Sequence, residues 1–227
     1  PIQEDEVWLG GLRAYSASPA GASKAGILLL PTAASIDAKS KNLLRRLAEA
    51  GFTALGWDLY PGHEPPANEE EWRPMLEQIT DEQALDTMSR WLSHLLDDMG
   101  VERAGALSFC IGGRWSLLFA AKDPRLAALV AFYPSIRIPD IPNRHMDAVA
   151  ACKDIGCPVN LVRPGHDRVA APETYGRVWH NLNQRSAPTT MQVYPDAGHG
   201  FIQRGEPEAD AKVAWAQAMA FFGVYLN

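Results

Sequence analysis

The stretch Leu107-Ser108-Phe109-Cys110-Ile111-Gly112-Gly113-Arg114-Trp115-Ser116 decides how the chain is read. An apolar run ends at a cysteine, two glycines follow, and an apolar helix-forming segment begins. A structural cysteine closing a core strand is one reading, since Cys is among the most buried residue types. It gives no reason for the glycines. A cysteine displayed on a tight strand–turn–helix does, because such a turn leaves room only for small neighbours. Ser108 and Gly112, two positions to either side, are both small. The helix that starts there points free N–H groups and its dipole at the same spot, which favours a thiolate. Ser108 is a rival nucleophile, but it lies within the strand rather than on the turn.

Outward from this turn, strand and helix patterns alternate. Gly26–Pro31 is a short apolar run of buried-strand type, and Phe52–Trp57, Arg103–Phe109, Leu126–Tyr133, Pro158–Arg163 and Thr189–Tyr194 also read as strands. Helices are predicted over Ala38–Ala50, Thr80–Met99, Gly112–Lys122, His145–Ile155, Pro172–Asn183 and Glu206–Tyr225. In the second of these, Leu85, Met88, Leu92, Leu95, Leu96 and Met99 recur at helical spacing, and Gly100 closes it. Pro61–Pro74 reads as a long loop with a short helical turn. Val7–Ala17 reads as an antiparallel edge strand or hairpin. Strands that are apolar throughout and alternate with helices imply an α/β class, with a mostly parallel sheet covered on both faces. In such sheets the active site lies beyond the carboxyl ends of the strands.

The chain has 227 residues, 47% of them hydrophobic, which suffices for a single domain spanning 1–227 with one sizeable core. Its net charge is -6, and no basic stripe suggests a nucleic-acid partner. The apolar runs fall short of the ~20 residues that cross a bilayer, so no membrane partner is expected. Cys110, Cys152 and Cys157 form an odd set without a CxxC pair, which fits a reducing, cytoplasmic compartment. HExxH, paired CxxC and phosphate-binding glycine patterns are absent from the sequence, so neither metal nor cofactor is expected.

A nucleophile on this turn requires a histidine, and the histidine a carboxylate to orient it. His199, in Pro195-Asp196-Ala197-Gly198-His199-Gly200-Phe201, follows the last strand and is flanked by glycines. His94 and His180 fall in helices, and His63 and His145 in irregular or surface contexts. His166 neighbours the acid candidate. That candidate is Asp167, just past the preceding strand, where capping a helix is its alternative role. Asp196 is the rival, but so near a neighbour in the same loop would point away from the imidazole edge. The chain order Cys110, Asp167, His199 is nucleophile, acid, base.

These segments resemble the dienelactone hydrolase family, the Cys-His-Asp branch of the α/β-hydrolase fold. The resemblance spans nearly the whole chain: Gly51–Tyr60, Leu129–Pro134, the nucleophile turn, the Asp167 segment, Val193–Phe201 and the Glu206-Pro-Glu-Ala lead into the last helix. It implies a nucleophilic Cys110, a general base His199 and an orienting Asp167. It also implies an oxyanion hole from the backbone N–H of Ile111 and Ala33. Two positions depart from it. Thr32 stands where dienelactone-opening members carry a glutamate, and Gln203, beside Arg204, where they carry a substrate-gripping arginine. The expected substrate is therefore a small neutral or weakly polar ester or lactone. Promiscuity toward aryl esters and phosphotriesters is also expected. Thr32, Gln203, Tyr60, Arg73, Arg114 and Phe201 are the expected substrate-binding residues, with Trp57, Trp72 and Trp115 as further pocket or core aromatics. The alternative is a non-catalytic, small-molecule-binding member of the same fold. A monomer or weak dimer is expected.

Overall fold

A computed structural model describes residues 1–21 and 23–227. One eight-stranded sheet organises it, in the order β1-β2-β4-β3-β5-β6-β7-β8. The chain opens with an antiparallel hairpin, β1 (Ile2–Leu9) and β2 (Leu12–Pro19), and β2 also runs antiparallel to β4 (Thr53–Trp57). The rest is parallel: β3 (Ala25–Leu30), β4, β5 (Arg103–Phe109), β6 (Leu126–Phe132), β7 (Val159–His166) and β8 (Thr189–Gly198). This is the α/β-hydrolase architecture expected above, with the Val7–Ala17 segment resolved as a hairpin.

The fully apolar strands explain the two-sided burial. Successive side chains of a strand point to opposite faces, so Leu28 and Leu30 enter one core while Ile27 and Leu29 enter the other. The first core packs against α3 (Asp81–Ser93), α4 (Ile111–Lys122) and α6 (Pro172–Leu182), through residues such as Trp91, Leu117 and Val178. The second is covered by α1 (Ala38–Glu49) and α8 (Glu208–Leu226), through Leu43, Leu44 and Phe222. No helix among the described residues is long and apolar enough to cross a membrane.

Three expectations are corrected. The loop predicted over Pro61–Pro74 contains a true helix, α2 (Glu69–Leu76): Asn68 caps it by accepting from the Glu71 N–H at 3.1 Å, and three glutamates fill its positive first turn. The helix predicted over His145–Ile155 shrinks to α5 (Ala148–Ala151) and one 3₁₀ turn, because Asp147 is spent capping the Ala150 N–H at 2.9 Å. The helix predicted to run to Met99 widens into a π-helical turn over His94–Asp98.

The strands β7 and β8 outrun their predicted ends, and this positions the site. Their pairing continues past a bulge to His166 beside Gly198, so Asp167 and His199 leave the sheet as neighbours. Gly165 permits that approach: a Cβ there would meet the Pro195 carbonyl oxygen at 2.2 Å.

Candidate active site

Cys110 sits between β5 and α4 with φ 53° and ψ −118°, a left-handed backbone that non-glycine residues adopt at a cost. Surrounding bonds hold it there. Its N–H donates to the Phe132 carbonyl at 3.2 Å, and its own carbonyl accepts from Ser135 N–H at 2.8 Å and Arg114 N–H at 3.2 Å. The glycines after it are there for space. A Cβ on Gly112 would lie 2.5 Å from the Leu30 carbonyl oxygen and 2.6 Å from that of Pro31. A Cβ on Gly113 would lie 2.9 Å from the Pro134 Cα. Gly112→Ala must push apart two backbone segments, and overpacking of this kind costs about 3 kcal/mol. A urea titration should show that loss, with activity falling further because the same contact sets the loop after β3 beside Cys110.

His199 lies one residue past β8, and Gly200 (φ 81°) then turns the chain into the short α7 (Phe201–Arg204). The His199 Nδ1 is 2.9 Å from Asp167 Oδ1. The same Oδ1 accepts from the Val169 N–H at 2.8 Å, and Tyr175 O–H donates to Oδ2 at 2.6 Å. Burial alone would raise the Asp167 pKa. His199, Tyr175 and the Val169 N–H outweigh it and hold the carboxyl below its ordinary value. Asp167 does not cap α6: the N-cap position is Ala171, which makes no side-chain cap hydrogen bond. The rival Asp196 is exposed.

The other ring nitrogen, His199 Nε2, is buried and meets no hydrogen-bonding partner among the described residues. Such a group costs about 1–3 kcal/mol to leave unpaired. The residue lines a cavity of about 360 Å³ together with Cys110, Ile111 and Ala33. Burial disfavours a charged imidazole here. Asp167 and the Cys110 sulfur outweigh it, and the His199 pKa is raised to about 9. The backbone N–H groups of Ile111 and Ala33 have no acceptor among the described residues. Ser108, the rival nucleophile, is fully buried with its hydroxyl against Ser116 Oγ at 2.7 Å and the Val130 carbonyl at 3.2 Å.

Among the expected substrate-binding residues, Arg73 lines the cavity, ion-paired to Glu69 one turn earlier on α2. The others do not. Arg114 points into the core, 1% exposed, bridging buried Asp81 (2.5 and 3.1 Å) and Asp140 (3.1 Å). Phe201 is fully buried against Phe132, Tyr133 and Tyr194, because Gly200 turns it inward. Gln203 accepts from the Tyr133 hydroxyl, and Arg204 donates to the His199 carbonyl. Thr32 folds its own turn: its carbonyl accepts from Ser35 N–H at 2.9 Å and its hydroxyl from Ala34 N–H at 3.3 Å. Tyr60 is buried and donates to the Ala33 carbonyl at 2.8 Å. Trp57 and Trp115 pack on each other in the core at 5.5 Å, whereas Trp72 lines the cavity.

Sequence reasoning missed Arg137 and Arg144, which lie between β6 and α5 and also line the cavity. Arg144 is 4% exposed, donates to the Leu76 carbonyl at 2.8 Å and to that of Ile79, and lies 4.8 Å over the Trp115 ring. Arg137 is exposed and has no hydrogen bond or ion pair among the described residues. The segment carrying both has no periodicity, so only its basic residues could have drawn notice.

The sequence model of the dienelactone hydrolase family matches residues 12–226. A candidate carboxymethylenebutenolidase of Salmonella typhi is 30% identical over 195 residues, covering 82% of this chain and 72% of its own. The fold is similar to that of a candidate dienelactone hydrolase from Klebsiella pneumoniae, with a TM-score of 0.89 and 24% identity, over 99% of this chain and 100% of the other. It is also similar to a dienelactone hydrolase-like promiscuous phosphotriesterase from metagenomic libraries, with a TM-score of 0.81 and 17% identity, over 100% and 99% of the two chains.

Proposed function

Since this chain belongs to the dienelactone hydrolase family, we propose that it cleaves small esters or lactones through a covalent Cys110 acyl-enzyme. The observation that carries this reading is the half-buried His199. Its Nδ1 is held by Asp167 at 2.9 Å, its Nε2 is unpartnered, and the residue lines the same cavity as Cys110. A histidine fixed on one side and left without a partner on the other is arranged for proton transfer.

The chemistry follows from that arrangement. The Cys110 thiolate attacks the ester carbonyl carbon, and the C=O electron pair moves to oxygen. The N–H groups of Ile111 and Ala33 receive the oxyanion; loss of one such donor typically costs ~10²–10³ in turnover. The intermediate collapses, the ester C–O bond breaks, and His199 Nε2–H protonates the departing alkoxide. Neutral His199 then takes a proton from water, whose hydroxide attacks the thioester. The thiolate leaves, the acid is released, and the imidazolium is regenerated. Asp167 keeps the proton of the neutral ring on Nδ1, which leaves Nε2 free to take one from water.

The cavity widens the range of substrates expected from Thr32 and Gln203. Arg137, at the cavity mouth without an acidic partner among the described residues, gives a carboxylate-bearing ester a place to bind. A charge-assisted hydrogen bond contributes about 1.5–3 kcal/mol, so Arg137→Gln should raise KM for an anionic ester roughly tenfold. KM for its neutral methyl analogue should be unmoved.

A panel of aryl esters, lactones, dienelactone and phosphotriesters, read with intact-protein mass, tests the function. The phosphotriesters are included because the metagenomic relative acts on them. The expected result is turnover of esters or lactones with an acyl adduct mapped to Cys110. No turnover across the panel, together with Cys110 no more reactive to iodoacetamide than free cysteine, favours a non-catalytic binding protein.

A further inference from the structure

Tyr60 lies outside the cavity lining, yet its hydroxyl ends on the residue that supplies the second oxyanion donor. The Thr32–Ser35 turn follows β3 and carries Ala33, which does line the cavity. Tyr60 O–H donates to the Ala33 carbonyl at 2.8 Å. Burial holds the Tyr60 phenol in its neutral, donating form.

The tyrosine is anchored in turn. Its backbone N–H donates to Asp58 Oδ1 at 2.9 Å. Ser35 O–H donates to the same Oδ1 at 2.7 Å, and Ser35 Oγ accepts from the Leu59 N–H at 2.8 Å. Ser35 itself is 1% exposed, with φ 59°. A left-handed serine persists only where its surroundings over-determine it. Asp58, 4% exposed, is paired with Arg13 at 2.5 Å. The segment after β4 and the turn after β3 are thereby locked into one polar unit. Buried polar networks that are fully satisfied make the backbone they hold rigid.

An oxyanion hole works because its donors are already in place when charge develops. A turn held only by its internal bonds would lose that advantage. We propose that Tyr60 is a positioning residue of the oxyanion hole: its hydroxyl, anchored through Asp58 and Ser35, fixes the Thr32–Ser35 turn so that the Ala33 N–H stays aimed at the developing oxyanion. The inference rests on the esterase reading given above. It assigns Tyr60 to the transition state of acylation rather than to substrate binding.

The test compares wild type, Tyr60→Phe and Ser35→Gly by stopped-flow acylation with p-nitrophenyl acetate, by iodoacetamide alkylation and by thermal unfolding. Phenylalanine removes only the hydroxyl. Glycine accepts the positive φ while removing the Ser35 tie, so it carries the test if the first variant fails to fold. Both variants should acylate roughly 10- to 100-fold more slowly at saturating ester. The apparent ester affinity should stay within about twofold, since no ground-state contact is lost. Alkylation by iodoacetamide, which develops no oxyanion, should keep its wild-type rate. A merely structural tyrosine would lower the melting temperature and leave acylation and alkylation in their wild-type ratio. Wild-type acylation in folded Tyr60→Phe overturns the proposal. Wild type that forms no Cys110 adduct instead overturns the esterase reading, and is seen before any variant is compared.

Discussion

Cys110→Ala is expected to abolish ester turnover while leaving the fold intact. Removing a nucleophile from a working triad costs on the order of 10⁶ in kcat, and the binding site and oxyanion donors retain only a small residue of rate enhancement. A loss of at least ~10⁴-fold is therefore expected on an aryl ester. The fold should tolerate the change. Alanine faces the same left-handed backbone that cysteine already occupies at φ 53°. Cys110 is only half-buried, so little packing is lost. The acyl adduct seen in wild type by intact mass should also vanish. An alanine variant within tenfold of wild-type turnover, at an unchanged urea midpoint, would remove the cysteine from the mechanism.

Asp167→Asn should be nearly as damaging, by way of the imidazole. Asparagine keeps the shape of the side chain, but an amide nitrogen in the Oδ1 place donates rather than accepts, so the Val169 and Ala170 N–H groups lose their acceptor there while Tyr175 keeps its own. What disappears is the anionic acceptor for His199 Nδ1–H. The ring then settles in the wrong tautomer, a change worth ~10⁴ in kcat in comparable triads. The pH profile separates this from simple misfolding. Burial works against a charged His199, and its bond to Asp167 is foremost among the interactions that raise its pKa to about 9. Wild-type kcat/KM should accordingly fall as pH rises through about 9. The asparagine variant should begin its decline at distinctly lower pH. Stability follows the same sign. A raised folded-state pKa means that the His199 contribution is full below its unfolded value of ~6.5. It is lost as pH climbs through about 9, a window that urea titrations across pH can resolve. An asparagine variant with an unshifted alkaline limb would sever His199 from Asp167.

The three candidate triad residues were legible because each follows a segment that reads as a strand. Cys110, Asp167 and His199 stand just beyond β5, β7 and β8, and parallel strands deliver their carboxyl ends to one edge of the sheet. Gly112 was legible as well, though the reason is a backbone contact with Leu30 and Pro31 across the turn. The walls of the cavity were less legible. Arg114 follows the nucleophile closely and looked like a substrate contact. Its partner Asp81 lies 33 positions upstream, and nothing local announces that pair. Phe201 and Gln203 looked equally well placed beside His199. The left-handed turn at Gly200 sends the phenylalanine into the core, and Gln203 meets Tyr133, the residue just past β6.

What the sequence determined by itself was the alternation of apolar strands and amphipathic helices, and with it the sheet and the edge where chemistry would gather. Hydrophobic periodicity is a local signal, and burial of whole strands follows from it directly. Tertiary structure alone decided which polar side chains face the cavity and which are consumed by partners. That choice depends on contacts between segments tens of residues apart, such as Arg114 with Asp81 and Tyr60 with Ala33. A buried charge or hydroxyl goes where its hydrogen bonds can be satisfied, and only the folded chain fixes where that is.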